Sequence, residues 1–196
     1  MPTMSRIEQA FCRSAPWRAF AKRSVLPWAL ADEALSGDVL EIGSGSGAMA
    51  AAVLERFPDV RLIATDADPA MVDAATSRLA RYGDRVEIRQ VDSTSLEFDD
   101  DCFDAVLSFL MLHHVMRWER ALVEAIRVLR PGGVLVGYDL LETPPARFIH
   151  GVDGSAHRLF RLPELRAAVA DLPVEVPDLA SCFGGIVTQF RLRKVK

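Results

Sequence analysis

The stretch DVLEIGSGSGAMA, residues 38–50, combines glycines and a carboxylate at spacings that could serve ligand chemistry. Gly43, Gly45 and Gly47 alternate directly after an apolar run, and glycines placed in this way let a backbone approach a bound ligand closely. Glu41 lies two residues before the first glycine, although a phosphate-binding loop favours positive potential. The pattern predicts a nucleotide-type ligand, and the glutamate makes the charge of that ligand the deciding question.

Acids also end the next two predicted strands. Asp66 follows an apolar run about 20 residues after the glycines, the offset at which a carboxylate accepts hydrogen bonds from ribose hydroxyls. Asp92 ends the following strand, and neither lysine nor arginine occurs in residues 43–53. Because the carboxyl ends of parallel strands meet at one edge of a sheet, we expect Glu41, Asp66 and Asp92 to converge there.

The charge of the ligand separates the alternatives. Residues 43–48 match both the dinucleotide pattern G-x-G-x-x-A and the pattern G-x-G-x-G, and a purely structural glycine turn would need no ligand. NAD carries a pyrophosphate, whereas S-adenosylmethionine carries a sulfonium, an ammonium and one carboxylate. At an effective dielectric constant of ~20, a carboxylate roughly 4 Å from a positive charge gains about 4 kcal/mol before desolvation. The acids therefore favour S-adenosylmethionine, with NAD as the alternative.

The elements that must position these residues alternate along the chain. Short apolar runs predict parallel strands, and segments with apolar residues at helical spacing predict the helices between them. The predicted strands are 38–42, 60–66, 85–92, one that begins at 103, and 134–139, and the predicted helices are 47–57, 69–82, 118–130 and 162–172. Two further runs, 174–176 and 186–194, lack room for a crossover helix between them and are expected to be antiparallel strands.

Five motifs in this order resemble those of class I S-adenosylmethionine-dependent methyltransferases of the small-molecule type: VLEIGSGSG, ATDADPAMVDAA, VDST, FDAVLSFLMLHHV and RVLRPGGVLV. The resemblance covers residues 37–139, about half of the chain. It implies an α/β, Rossmann-like, doubly wound and mostly parallel seven-stranded sheet with an antiparallel last strand. It also implies an enzyme that transfers a methyl group from S-adenosylmethionine to a small molecule and releases S-adenosylhomocysteine.

The resemblance further implies a cofactor site. That site is expected to comprise Glu41, Gly43, Ser44, Gly45, Gly47, Asp66, Ala67, Asp92, Ser93, Ser108 and Phe109. Glu41 would favour the amino group of the cofactor, and Asp66 would accept from both ribose hydroxyls. Asp92 would accept from the adenine amino group, and Phe109 would lie near the methyl group.

Three residues are candidates for catalytic roles: His113, His114 and Tyr138. Methyl transfer from a sulfonium is an in-line displacement to which the protein contributes mainly alignment, and a base helps when the acceptor is a hydroxyl or an acidic carbon. The two histidines follow strand four, and the tyrosine lies near the end of strand five. Alternatively, the histidines have a structural role, and the tyrosine is only a half-buried polar residue at the end of its strand. The cysteines show no metal-ligand spacing, so no metal site is predicted.

Apolar side chains near the predicted site favour an apolar or aromatic small-molecule acceptor. They are Phe109, Met111, Met116, Trp118 and Phe148, although core packing explains such residues equally well. Residues 108–111 read SFLM where amino-methylating nucleic-acid enzymes of this fold carry an Asn-Pro-Pro-Tyr-like sequence. With a net charge of -4, no nucleic-acid partner is expected. A non-catalytic member that binds the cofactor as a structural or regulatory ligand is an alternative to the enzyme.

The chain length predicts a single domain over residues 1–196. Within it, residues 1–35 are expected to form a helical lid or edge region, residues 36–139 the cofactor-binding core, and residues 140–196 a substrate segment with the C-terminal strands. The N-terminal region is basic and amphipathic, so an edge helix, a lid and a membrane-surface helix are its alternatives. Neither a bilayer-length apolar run nor a signal-peptide core is recognised, which predicts a cytoplasmic protein. The sequence makes no prediction about the oligomeric state.

Overall fold

The computed structural model describes residues 19–31, 33–144, 146–147 and 157–196. The expectations about the basic N-terminal segment before residue 19, and those that involve Cys12 and Phe148, lie outside the described residues.

In the described part of the chain, seven strands form one sheet in the order β3-β2-β1-β4-β5-β7-β6. The strands are β1 Gly37–Ile42, β2 Val60–Asp66, β3 Val86–Gln90, β4 Phe103–Phe109, β5 Leu129–Leu140, β6 Asp178–Cys182 and β7 Val187–Arg193. Strands β1 to β5 pair in parallel, whereas β7 pairs antiparallel with both β5 and β6. The predicted doubly wound, mostly parallel sheet with an antiparallel last strand is confirmed.

Helices cover both faces of the sheet. They are α1 Leu26–Leu30, which follows a π-helical turn Ala21–Val25, then α2 Ala48–Arg56, α3 Pro69–Leu79, α4 Trp118–Val128 and α5 Leu162–Ala170. Short 3-10 turns occur at Ala80–Arg85, Leu112–His114 and Phe183–Gly185. The carboxylate of Asp68 accepts a hydrogen bond of 2.8 Å from the Ala70 amide and caps α3, as a residue of this type before a proline predicts.

Each face of the sheet has its own apolar core. The core on one face includes residues of α1 and α2, and the core on the other face includes residues of α4 and α5. The second core contains Trp118, whose ring centroid lies 4.7 Å from that of Phe160 and whose side chain is 1% exposed. Glu41 pairs with Ala64 and Leu107 in the middle of the sheet, so the glycine loop begins between its central strands.

The predicted strand at 174–176 is wrong. In this segment Val174 forms only an isolated bridge with Lys194, and Val176 is 95% exposed. The edge strand that pairs with the outer side of β7 is β6, whose sequence DLASC shows no alternation of apolar and polar residues. An edge strand of this kind is held by backbone pairing, which leaves little pattern in its side chains.

The helix predicted to reach residue 130 is shorter. Helix α4 ends at Val128, and the chain enters β5 at Leu129, two residues before Pro131-Gly132-Gly133. A Cβ atom on Gly133 would lie 2.9 Å from the carbonyl oxygen of Arg130 and 3.0 Å from that of Asp104. The close approach of these backbones explains the glycine and coincides with a register shift between Phe103 and Ala105.

Among the described residues, no helix has both the length and the apolar character needed to cross a bilayer. The same residues contain no group of three or more metal-ligating side chains close enough to hold an ion.

Candidate functional site

A cavity of about 560 Å³ opens at the carboxyl edge of the parallel strands, where ligands bind in doubly wound sheets. Three groups of residues line it. The glycine loop contributes Glu41, Gly43, Ser44, Gly45 and Ser46, and the start of α2 contributes Ala48 and Met49. The ends of β2 and β3 contribute Asp66, Ala67, Asp68, Pro69, Gln90, Val91, Asp92 and Ser93. The ends of β4 and β5 contribute Phe109, Leu110, Met111, His114, Val115 and Tyr138.

The three glycines of the loop serve different purposes. All have positive φ values, +64° at Gly43, +53° at Gly45 and +76° at Gly47. A Cβ atom on Gly43 would lie 2.6 Å from Cβ of Met111, and one on Gly47 would lie 3.1 Å from Cδ1 of Leu79. A Cβ atom on Gly45 would meet no described atom within 4 Å, so this glycine opens onto the cavity rather than onto protein. Gly45 is therefore where a ligand can approach the backbone.

Neighbouring elements hold the loop in place. The Ser44 amide donates to the Thr65 carbonyl at 2.8 Å, and the Gly45 amide donates to Oδ2 of Asp66 at 2.8 Å. Arg78 on α3 donates to the carbonyl oxygen of Ser46 and, at 2.7 Å, to its hydroxyl. Arg78 was not predicted at the site, because it is absent from the loop sequence and reaches the loop from a later helix.

Glu41 is an ionisable group in an apolar setting. Its side chain is 1% exposed, and burial, followed by the nearby charge of Asp66, raises the pKa of Glu41 to about 8. Its Oε2 atom has no hydrogen-bond partner among the residues that the structure describes, and the same holds for the Ser44 hydroxyl. Both residues line the cavity. Two buried oxygens that lack partners at one cavity wall indicate that a polar ligand group completes their hydrogen bonding.

The carboxylates at the ends of β2 and β3 are anchored by backbone amides. Asp66 accepts from Gly45 and, at 2.9 Å, from the Asp68 amide, while burial raises the pKa of Asp66. Asp92 accepts from both the amide and the hydroxyl of Thr94 at 2.8 Å. The structure thus brings all three predicted acids to the same cavity.

Two of the described residues predicted to contact a cofactor do not line the cavity. Gly47 begins α2 at the far end of the loop, where it packs toward α3. Ser108 is fully buried in β4 and lacks a hydroxyl partner within the described residues. The other predicted cofactor residues, Glu41, Gly43, Ser44, Gly45, Asp66, Ala67, Asp92, Ser93 and Phe109, do line it.

The two histidines after β4 have different surroundings. His113 is 3% exposed and its Nδ1 hydrogen-bonds Oδ1 of Asp139, a fully buried residue that also accepts from the Leu112 amide at 2.7 Å. The His113 carbonyl accepts from the Arg158 amide at 2.7 Å, so this residue joins three segments of the chain. His114 instead lines the cavity, and its ring centroid lies 4.1 Å from that of His113.

The third catalytic candidate, Tyr138, lies at the apolar end of the cavity. Its side chain is 4% exposed, and its ring centroid lies 5.6 Å from that of Phe109. Two of the side chains expected beside the acceptor lie elsewhere, because Trp118 packs in the core and Met116 is 50% exposed away from the cavity lining.

A doubly wound α/β sheet with a cavity at the glycine loop, rimmed by acidic residues, is typical of proteins that bind a nucleotide-type cofactor. Residues 40–137, half of the chain, match the model of the family described as Methyltransferase domain. The chain belongs to this family, and its fold is that of class I S-adenosylmethionine-dependent methyltransferases.

Curated relatives carry methyltransferase names. The demethylmenaquinone methyltransferase of Clavibacter sepedonicus is 35% identical over 134 residues, which cover 68% of this chain and 50% of that protein. The malonyl-[acyl-carrier protein] O-methyltransferase of Geobacter sulfurreducens is 28% identical over 183 residues, which cover 84% of this chain and 68% of that protein. The chain spans about half the length of the first curated relatives it matches.

Solved structures share the fold. A chain from the complex of the Haloferax volcanii Trm112 methyltransferase activator has a TM-score of 0.76 at 19% identity, with 99% of this chain and 100% of that chain covered. Phosphoethanolamine N-methyltransferase 2 of Haemonchus contortus, in complex with S-adenosylhomocysteine, has a TM-score of 0.74 at 15% identity. The match to the second protein covers 89% of this chain and 52% of that chain.

Proposed function

We propose that this protein transfers the methyl group of S-adenosylmethionine to a small apolar or aromatic acceptor and releases S-adenosylhomocysteine. The observation that carries the proposal is the buried Glu41 carboxyl, which lines the cavity with one oxygen that lacks a partner among the described residues. An ammonium group would supply both the missing hydrogen bond and the compensating charge. The family membership of the chain supports the same cofactor.

The residues of the cavity fit the cofactor along its length. Glu41 and Ser44 would hold the amino-acid end, and the Gly45 backbone leaves room for close approach. Asp66 accepts backbone hydrogen bonds at both of its oxygens, and its remaining lone pairs can accept from ribose hydroxyls. Asp92 and Ser93 would face the adenine. When bound, the cofactor supplies an electrophilic methyl group, and the chain supplies its orientation.

The opposite end of the cavity suits an apolar or aromatic acceptor. Phe109, Leu110, Met111, Val115 and Tyr138 line it with carbon-rich side chains. Burying an aromatic or aliphatic acceptor against them stabilises its bound state and excludes water from the reacting atoms.

His114 is a cavity-lining group with the chemistry of a base, and it lies beside the apolar residues assigned to the acceptor. An imidazole near neutral pH can accept a proton from a hydroxyl acceptor during methyl transfer. His113 does not line the cavity, so we assign it and Asp139 the role of positioning the segment that carries His114. The Tyr138 ring, which does line the cavity, would position the acceptor.

The alternatives explain less of the site. An NAD pyrophosphate at the glycine loop would face Glu41 and Asp66 and receive no compensation from them. A non-catalytic member would need the cofactor residues but would have no use for an apolar cavity beside them.

We also propose that the acceptor is not a nucleic acid and that the protein acts in the cytoplasm. The net charge of -4 supports the first point, because nucleic-acid binding draws on clustered positive charge.

A transfer assay tests the proposed activity. Radiolabelled S-adenosylmethionine is incubated with the protein and a panel of phenols, aromatic amines, fatty acids and thiols, and labelled products are counted. We expect transfer to at least one acceptor, loss of transfer in Asp66→Ala, and no change in Asp171→Ala, an exposed aspartate at the end of α5. Cofactor binding without transfer to any acceptor would favour the non-catalytic alternative.

A further inference from the structure

Four aromatic rings form a continuous row that begins in the cavity and ends at the surface. The ring centroids of Phe109 and Tyr138 are 5.6 Å apart, those of Tyr138 and Trp28 are 5.2 Å apart, and those of Trp28 and Phe183 are 5.4 Å apart. The first two rings line the cavity, whereas the last is 67% exposed. The row therefore runs from two buried rings through the half-buried Trp28 to the exposed ring of Phe183.

Four separate segments of the chain build this row. Phe109 and Tyr138 are paired neighbours at the ends of β4 and β5. Trp28 lies on the short helix α1, and Gln189 of β7 donates to the carbonyl oxygens of Trp28 at 2.7 Å and of Ala29 at 3.1 Å. A side chain of the sheet thus fixes the helix that carries the third ring.

Phe183 reaches the row from the turn between β6 and β7. Because Val187 pairs with Leu140 at the end of β5, this turn lies at the same edge of the sheet as the cavity. Phe183 has a φ value of +52°, and Gly184 and Gly185 follow with +66° and +89°. Glycine adopts such values freely, whereas a bulky aromatic residue does so at a cost in free energy.

A strained residue whose apolar side chain is largely exposed is a poor contributor to stability. Strain of this kind is retained where the surrounding structure imposes it, and it concentrates at ligand sites. The ring of Phe183 contacts Trp28, which in turn contacts a cavity-lining tyrosine, so the strained turn is connected to the site by packed aromatic rings.

We propose that this aromatic row binds a flat aromatic acceptor and that Phe183 is a specificity-determining residue at its outer end. The inference rests on the proposed function, because the inner two rings belong to the cavity assigned to cofactor and acceptor. Ring faces and edges prefer aromatic partners over saturated ones of similar size, which gives the row a preference for planar acceptors. Trp28 and Phe183 do not line the cavity itself, so the exposed ring of Phe183 contacts the part of the acceptor that extends out of the cavity along the row.

Binding of two probes to the full chain tests this inference. The protein is first titrated with S-adenosylhomocysteine by calorimetry, and the saturated complex is then titrated with 2-naphthol and, separately, with cyclohexanol. Phe183→Gly removes the ring and relieves the strain at the same time, Phe183→Leu keeps apolar bulk without a ring, and Val176→Ala is the control at an exposed valine.

We expect 2-naphthol to bind the wild-type complex more tightly than cyclohexanol. Phe183→Gly should raise the Kd for 2-naphthol roughly three- to tenfold, with Phe183→Leu between it and the wild type, while cyclohexanol binding changes less than twofold. Binding of S-adenosylhomocysteine should stay the same, and the thermal midpoint of Phe183→Gly should not fall. Loss of binding without loss of stability would show that the ring serves a ligand rather than the fold.

Other outcomes contradict the inference. Equal affinities of the wild type for the two probes, or unchanged 2-naphthol binding in Phe183→Gly, would overturn it while leaving the cofactor assignment intact. A lower thermal midpoint with weakened S-adenosylhomocysteine binding would give Phe183 a structural role. If wild-type protein binds no S-adenosylhomocysteine, the proposed function fails at the first titration, and this inference fails with it.

Discussion

Glu41 lies at the end of a central strand within the electrostatic influence of Asp66, and the negative charge of Asp66 adds to burial in raising the pKa of Glu41 to about 8. Ionising both acids is costly in a protein without a ligand, so Glu41 keeps its proton at neutral pH. A positively charged ligand group favours the ionised carboxylates and is attracted by both of them, so it binds tightly at this position. The pair therefore connects the electrostatics of the site to the choice of cofactor.

Cofactor binding should release a proton below pH 8. The free protein holds a proton on Glu41 at neutral pH, and the carboxylate that pairs with an ammonium group has lost it. The affinity for S-adenosylhomocysteine should rise between pH 6 and pH 8, by at most about tenfold per pH unit, and level off above that range. Calorimetry in buffers of different ionisation enthalpy measures the released proton. A Glu41→Gln variant should show weaker binding and no such release, and an identical proton count in both proteins would contradict the assignment.

The same carboxyl should destabilise the ligand-free protein as pH rises. In the unfolded chain the pKa of Glu41 is near its ordinary value of 4.5, whereas in the folded protein burial raises it to about 8. The resulting loss of folding free energy is absent below pH 4.5 and grows between pH 4.5 and pH 8. It is on the order of 3 kcal/mol at pH 7. Glu41→Gln removes the group, so its stability relative to the wild type should increase from pH 5 to pH 8. Urea unfolding at several pH values measures the difference, which should not vary with pH if the carboxyl has no such cost.

Substitutions of two loop glycines should separate stability from binding. Gly43→Ala places a Cβ atom against Met111, so we expect a large loss of stability, on the order of 2–3 kcal/mol. Gly45→Ala meets open space and bears only the strain of its positive φ, a cost of about 1 kcal/mol. Its added methyl group points toward the cavity, so it should reduce S-adenosylhomocysteine affinity. Thermal unfolding and calorimetry on both variants provide the comparison, and unaltered affinity in Gly45→Ala would contradict the placement of the cofactor.

Substitutions of the two adjacent histidines should affect different properties, stability for His113 and turnover for His114. His113→Ala leaves the buried carboxylate of Asp139 without its ring partner, so stability should fall by about 3 kcal/mol. His114→Ala removes a cavity-lining side chain, so stability should change little while turnover of a hydroxyl acceptor falls roughly 10²- to 10⁴-fold. The measurements are urea unfolding, and the kcat and its pH profile with a hydroxyl acceptor.

Unchanged turnover in His114→Ala would show that alignment of the acceptor alone suffices for transfer. The conservative variant Asp139→Asn is the control for position, because an amide oxygen can still accept from the Leu112 amide. It should retain more stability than Asp139→Ala.

The central part of the fold could be predicted from the sequence because its signals are local. Strand β2 has the predicted bounds of 60–66, since an apolar run ends there at an aspartate. Strand β6 could not be predicted, because an edge strand needs no apolar face and its partner lies later in the chain. Trp118 was expected beside the acceptor, but hydrophobicity alone does not distinguish a cavity wall from a core.

Within the site, the residues that end parallel strands were predictable because the topology brings strand ends together. Contacts between segments that are distant in the sequence could not be predicted. The hydrogen bond between His113 and Asp139, the contact of Arg78 with Ser46 and the packing of Phe183 on Trp28 depend on side chains that sequence spacing does not relate. The exclusion of Ser108 from the cavity wall depends on which face of β4 its side chain takes.

Calorimetric titration of the wild-type protein with S-adenosylhomocysteine at pH 8 tests the central claim most directly. Asp66→Ala serves as the site variant and Asp171→Ala as the exposed control. We predict a micromolar Kd with one site per chain, a loss of at least tenfold in Asp66→Ala, and no change in the control. The absence of binding at millimolar ligand, or equal affinity in all three proteins, would contradict it.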